Sequence, residues 1–97
     1  MQRTYPIVLW KDEGNPTFGV GVPDLPGCFS AGDTLEEALK MVREAIQGWC
    51  EVTLESGKEI PDPTTVEKWR TQEDYRDVVA WAFVEVEVPE PAIAGAK

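Results

Sequence analysis

An amphipathic helix predicted over residues 34–56 constrains the fold of this chain more than any other feature. Its apolar side chains recur every three or four residues, so they share one face of the helix. They are Leu35, Ala38, Leu39, Val42, Ala45, Ile46, Trp49, Cys50 and Leu54. Thr34 with Glu37 fits a capping box at the start, and Ser56-Gly57 supplies a stop. A helix with one apolar face must cover another apolar surface, so the rest of the chain has to supply a sheet.

Alternating apolar residues before this helix predict two strands. Residues 5–11 and 17–22 should form a hairpin across the turn at 12–16. In the second strand Gly19 and Gly21 share the face opposite the apolar one, where a neighbouring side chain can pack closely.

The remaining segments predict three further elements. After a break at residues 23–27, residues 28–30 can form a short third strand, and residues 64–72 a short second helix with a capping box starting at Thr64. Residues 78–88 are the clearest strand, and because their first part is apolar on both faces, a central position is expected.

The order β-β-β-α-(α)-β predicts an α+β domain. It consists of a three-stranded antiparallel meander plus a final strand, with one long helix packed on the sheet. Because the last strand follows a helix, we expect it to lie parallel to an earlier strand through a right-handed crossover. Residues 1–88 should form the domain and residues 89–97 a tail or linker, while Trp10 and Trp81 should stack across the sheet.

The charge of the chain restricts its partners. Eighteen acidic and nine basic residues give a formal net charge of −9. Nucleic-acid binding depends on clustered Lys and Arg, so a basic protein is a better match. Charge alone is equally explained if the acidity only keeps the protein in solution. Histidine is absent, which excludes a Ser-His-Asp or Cys-His nucleophile within this chain. No catalytic residue, metal site or cofactor is predicted.

A cytoplasmic location without membrane contact is expected. No apolar run approaches the ~20 residues of a membrane span, and the first residues do not resemble a signal peptide. Cys28 and Cys50 are expected to be free thiols.

The acidic residues around the third strand leave an enzymatic alternative open. Asp24 and Asp33 flank that strand, and clustered carboxylates of this kind could hold Mg²⁺ for a metal-dependent nuclease. Their spacing matches no metal motif, and each acid stands where a turn or a helix start favours one. A stand-alone ligand-binding or scaffold domain is a further alternative.

A series of turns and caps from residue 5 to residue 63 resembles the HicB family of antitoxins, and residues 80–88 fit the family's last strand. The matching segments are Tyr5-Pro6, Asp12-Glu13-Gly14, Val22-Pro23-Asp24-Leu25-Pro26-Gly27-Cys28-Phe29, Gly32-Asp33-Thr34, Glu36-Glu37-Ala38 and Ile60-Pro61. The resemblance implies a partial RNase H-like fold. That fold does not by itself imply nuclease activity, and the first predicted strand contains no acid.

The resemblance also implies partners. HicB proteins bind HicA, a small basic toxin that cleaves mRNA, and neutralise it by covering its active site. They associate with themselves, here expected as a dimer or tetramer, and the edge of residues 84–88 could pair with its copy. They usually bind DNA through a C-terminal module. No such module follows Val88, so DNA binding is expected only through a module not present in this chain. Two alternatives stay open, a truncated chain, which is favoured, and a natural one-domain member of the family.

Six residues are candidates for a partner interface. The turn and the helix start, expected to be exposed, would face the toxin, whereas an exposed tryptophan on the short second helix would anchor the toxin or a second copy. The candidates are Asp24, Leu25, Phe29, Asp33, Glu36 and Trp69.

Overall fold

Four antiparallel strands form one sheet with a long helix on one of its faces in the computed structural model, which describes residues 1–90. The strand order is β3-β2-β1-β4. In chain order the elements are β1 (Gln2–Lys11), β2 (Phe18–Gly21), β3 (Phe29–Gly32), α1 (Leu35–Glu55), α2 (Val66–Arg70), a 3₁₀ helix (Glu73–Tyr75) and β4 (Ala80–Glu87). The predicted α+β architecture is confirmed. Most of the predicted tail, residues 91–97, lies outside the described residues.

The position predicted for the last strand is wrong. β4 lies at the edge of the sheet and runs antiparallel to β1, from Gln2 opposite Glu87 to Leu9 opposite Ala80. Its first half is apolar on both faces although no strand flanks it on the outer side: Trp81 and Ala82 are half-buried there, whereas Ala80 and Phe83 are exposed. Residues 61–79, named the strap below, return the chain so that β4 enters antiparallel to β1.

The core lies between α1 and one face of the sheet. Ala38, Val42, Ile46 and Cys50 of α1 are fully buried there. The strands contribute Tyr5, Ile7, Leu9, Val20, Val84 and Val86. Cys28 and Cys50 are free and buried in this cluster, and burial raises the pKa of the Cys28 thiol to about 11. A thiol with such a pKa stays protonated and unreactive at neutral pH.

The second face of the sheet carries an aromatic layer. The ring of Trp10 lies over β2, where a Cβ at Gly21 would come within 2.8 Å of it, so the predicted close packing on the glycines is confirmed. Tyr75 of the strap lies between Trp10 and Trp81, with centroid distances of 6.2 and 5.8 Å. The expected direct stacking of Trp10 on Trp81 is therefore wrong, because each of the two rings packs on Tyr75 instead. Val8 is fully buried on this face.

The two ends of α1 follow the predicted capping chemistry. Thr34 Oγ1 accepts a hydrogen bond from the Glu37 backbone N–H at 3.1 Å. At the other end Gly57 has a φ of +79°, and the Lys58 N–H donates to the Thr53 carbonyl at 3.0 Å, which is a Schellman motif. The second predicted capping box is wrong. Thr65 is the N-cap residue of α2 and makes no side-chain cap bond.

The junction between β3 and α1 predicts a strong effect of one methyl group. A Cβ at Gly32 would lie 2.7 Å from the Ala38 Cα, and this contact is with backbone that cannot rotate away. We expect Gly32→Ala to lower the free energy of unfolding by about 1–3 kcal/mol, measured by urea denaturation. Gly48→Ala is the matched control, since a Cβ there meets nothing within 4 Å. Equal stability of Gly32→Ala and the wild type would contradict this packing.

Candidate protein-interaction surface

The carboxylate of Asp24 lies inside the protein and accepts three hydrogen bonds from the strap. Thr64 donates its backbone N–H at 2.9 Å and its hydroxyl at 2.5 Å. Trp69 donates its indole N–H at 3.2 Å. Asp24 is only 6% exposed. It therefore ties the turn after β2 to the strap, 40 and 45 residues further along the chain.

Leu25 points into the core and is 0% exposed. The turn closes around it, because the Leu25 N–H donates to the Val22 carbonyl at 3.0 Å and the Cys28 N–H donates to the Leu25 carbonyl at 2.9 Å. The expectation that Asp24 and Leu25 are exposed is wrong for both. One side chain fills the core and the other binds the strap, and their role in a partner interface stays a prediction.

Trp69 is half-buried and belongs to the aromatic layer. Its ring stands edge-on to Tyr75 at a centroid distance of 6.2 Å, and Lys68 Nζ lies 4.8 Å from its centroid. All four tryptophans are half-buried, so the expectation that Trp69 is the most exposed of them has no support in the structure. The structure does bring two predicted candidates, Asp24 and Trp69, into direct contact.

The other three candidates lie at the surface. Phe29 is 65% exposed at the start of β3, an edge strand. Asp33 and Glu36 are exposed at the start of α1, where Asp33 also accepts the Thr17 hydroxyl at 3.0 Å. Their role in a partner interface stays a prediction.

A groove next to Phe29 was missed by sequence reasoning. It has a volume of about 740 Å³ and lies between residues 26–29 and the second half of α1. Trp49 lines it and donates its indole N–H to the Pro26 carbonyl at 2.9 Å. Gly48 and Val52 also line it, and Val52 is 62% exposed. We name this feature the turn–helix groove. The sequence did contain a signal for this groove. Val52 is apolar but does not belong to the apolar face of the helix, and it follows the mid-helix Gly48 by one turn.

A second exposed apolar region lies on β4. Phe83 is 60% exposed on the second face of the sheet, and Val79, just before the strand, is also exposed. Sequence reasoning placed this edge in a self-association interface, although it named residues 84–88. Val84, Val86 and Val88 are instead buried in the core, so their side chains are not available to a second copy, whereas the outer backbone edge of β4 is open.

The acidic residues do not converge on a metal site in the part of the chain that the structure describes. Within residues 1–90, no group of three or more Asp, Glu, Cys or His could hold a metal ion. The Asp24 carboxylate is occupied by hydrogen bonds from Thr64 and Trp69 of the strap. No helix within those residues is long and apolar enough to span a membrane.

These features define an α+β domain with an acidic sequence, a buried carboxylate holding a strap in place, and an open apolar groove beside its long helix. The chain belongs to the HicB-like antitoxin family. The model of that family, described as the HicB_like antitoxin of a bacterial toxin–antitoxin system, matches residues 5–92.

Solved structures support the same assignment. The chain superposes on the N-terminal domain of the Burkholderia pseudomallei antitoxin HicB with a TM-score of 0.71 and 36% identity, covering 88% of this chain and 99% of that one. A HicA3 and HicB3 toxin-antitoxin complex contains a chain that matches with a TM-score of 0.66 and 25% identity, over 90% of this chain and 99% of that one.

One curated relative is a protein of Haemophilus phage HP1. This uncharacterized 14.9 kDa protein, from the rep-hol intergenic region, is 44% identical over 75 residues, which is 77% of this chain. The match spans 55% of the length of that relative.

The contacts of Asp24 predict a structural effect when its charge is removed. Asp24→Asn keeps the size of the side chain but replaces one acceptor oxygen by a donor, which would face the donors of Thr64 or Trp69. Hydrogen bonds to a charged partner contribute about 1.5–3 kcal/mol. We therefore expect the free energy of unfolding, measured by urea denaturation, to fall by about 2 kcal/mol. The tryptophan fluorescence spectrum should also shift.

Asp33→Asn is the matched control for this prediction, because Asp33 is exposed and an amide oxygen can still accept from Thr17. It should change stability by less than about 0.5 kcal/mol. Equal losses in the two variants would show that the Asp24 contacts do not stabilise the fold.

Proposed function

We propose that this chain is an antitoxin domain that binds a small basic HicA-type, mRNA-cleaving toxin and neutralises it by covering its active site. The observation that carries the proposal is the match of residues 5–92 to the antitoxin family. The likeness to a chain in a solved toxin–antitoxin complex supports a toxin as the partner. Inhibition by stoichiometric binding requires no catalytic residue, and we propose that the chain is not an enzyme.

The charge of the chain fits such a partner. The formal net charge of −9 is spread over a sequence with twice as many acids as bases, 18 against 9. Complementary charge accelerates encounter with a basic protein and orients it. The same charge opposes DNA binding by these residues. We therefore propose that any operator binding requires a separate C-terminal module, and that the toxin is neutralised in the cytoplasm.

The test of the proposal is co-purification with the small basic protein encoded beside the gene for this chain. We expect a stoichiometric complex in size-exclusion chromatography that weakens as salt is raised, because exposed charges are screened. Co-expression should also restore growth that the toxin alone arrests. An unrelated protein of similar size and charge is the control. A folded chain that neither binds the neighbouring product nor rescues growth would disprove the antitoxin function.

We also propose that the chain dimerises through the outer edge of β4, which pairs with no strand within residues 1–90. Open edge strands favour pairing with another strand, and exposed Phe83 would gain burial there. Sedimentation at micromolar concentration should show a species near twice the chain mass of 10.8 kDa. Phe83→Lys should give the monomer, while the control Phe29→Lys, on the opposite edge strand, should not. A wild-type monomer would refute the dimer.

A further inference from the structure

We propose that the turn–helix groove is the docking site for the toxin. In this arrangement apolar side chains of the toxin enter the groove, and its basic side chains contact the acids at the end of α1. The inference rests on the proposed antitoxin function and names the surface that performs it. Three features of the groove support it: an exposed apolar side chain, a glycine that the fold does not require, and acids at the unfavourable end of a helix.

The first feature is the exposure of an apolar side chain beside an open volume. Val52 lines the groove and is 62% exposed. Phe29 lines it as well, but its ring lies beside Gly21 and Trp10 on the second face of the sheet. The groove, at about 740 Å³, has room for several side chains of a partner. Burying exposed apolar area contributes about 25 cal/mol per Å², so a partner that fills the groove gains affinity from contacts that the fold leaves unused.

The second feature is Gly48 in the middle of α1. Glycine in a helix interior is less favourable than alanine by about 1 kcal/mol. A close neighbour would explain it, as Ala38 explains Gly32, but a Cβ at Gly48 would meet nothing within 4 Å. Gly48 lines the groove instead. Its missing side chain lets a partner approach the helix backbone directly.

The third feature is the charge at the end of α1. The C-terminus of a helix carries a partial negative charge and favours Lys or Arg nearby. The last turn of α1 contains no basic residue. Glu55 is exposed in that last turn and Glu59 follows it, against the single base Lys58. Glu59 and Lys58 line the groove themselves.

The glycine inside α1 and the acids at its end both weaken the helix, and both occur beside one groove. Residues that weaken a fold locally, without a compensating contact inside it, are expected at functional sites. A basic partner would compensate both, because its cations would neutralise the acids and its side chains would use the space above Gly48. The acids thus identify the occupant as a basic protein surface, which is the chemistry of the toxin.

The test measures toxin affinity and stability for Gly48→Gln. The new side chain should favour the helix and raise Tm by about 4–8 °C, and because it fills the groove it should weaken binding by roughly tenfold or more. The toxin used is the product of the neighbouring gene, titrated by calorimetry. Opposite changes in stability and affinity cannot result from misfolding.

Two matched pairs complete the design. Val52→Ala removes an exposed apolar side chain from the groove and should also weaken binding, whereas Val79→Ala, at an exposed position before β4, should not. Glu55→Gln, in the last turn of α1, should slow association and reduce its salt dependence, whereas Glu85→Gln, on the second face of the sheet, should leave both unchanged.

The outcomes separate this inference from the proposed function. A wild-type chain that binds the toxin, with Gly48→Gln and Val52→Ala binding equally well, would place the toxin elsewhere while the antitoxin function stands. A lower Tm for Gly48→Gln would show that the position is crowded and would also overturn the inference. A wild-type chain that binds no toxin would remove the function and the docking site together.

Discussion

The hydrogen bonds accepted by Asp24 join the turn after β2 to the strap, and the rest of the packing depends on this connection. A buried carboxylate is costly unless donors satisfy it, and here Thr64 and Trp69 supply three. All three come from the strap. Through Trp69 and Tyr75 the strap continues the aromatic layer that covers part of the second face of the sheet. The turn that contains Asp24 also inserts Leu25 into the core on the first face. One short turn thus couples the packing on both sides of the sheet.

Local signals were sufficient to predict the parts of the fold that local forces decide. The periodicity of α1, its Thr34 cap and its Gly57 stop are properties of neighbouring residues, and the structure confirms each of them. The edge position of β4 was not predictable in this way. Apolar residues on both faces of a strand do not show whether one or both of its edges pair with another strand. Asp24 and Leu25 were misjudged for a similar reason: turn residues are usually exposed, and their partners lie far along the chain.

The interaction surface was only partly predictable because its signals are departures from a pattern. A search for helix periodicity selects the residues that satisfy it, so Val52 and Gly48 were passed over as residues that fit neither the core nor the polar face. Their meaning depends on the space around them. Gly32 and Gly48 are the same residue type in one sequence, yet one is held against a backbone and the other faces an open groove. Only the fold distinguishes these two cases.

The placement of these departures links the stability of the domain to its proposed partner. A domain of this length has a free energy of unfolding on the order of 5–10 kcal/mol, so a penalty of about 1 kcal/mol at Gly48 and like charges at the end of α1 are appreciable fractions of the total. A ligand that binds only the folded state adds about 2.7 kcal/mol at a hundred times its dissociation constant. A toxin bound in the turn–helix groove would therefore return more stability than the groove costs. The free antitoxin would be the less stable species, and the complex the stable one, because the same residues that weaken α1 alone would be neutralised and covered in the complex.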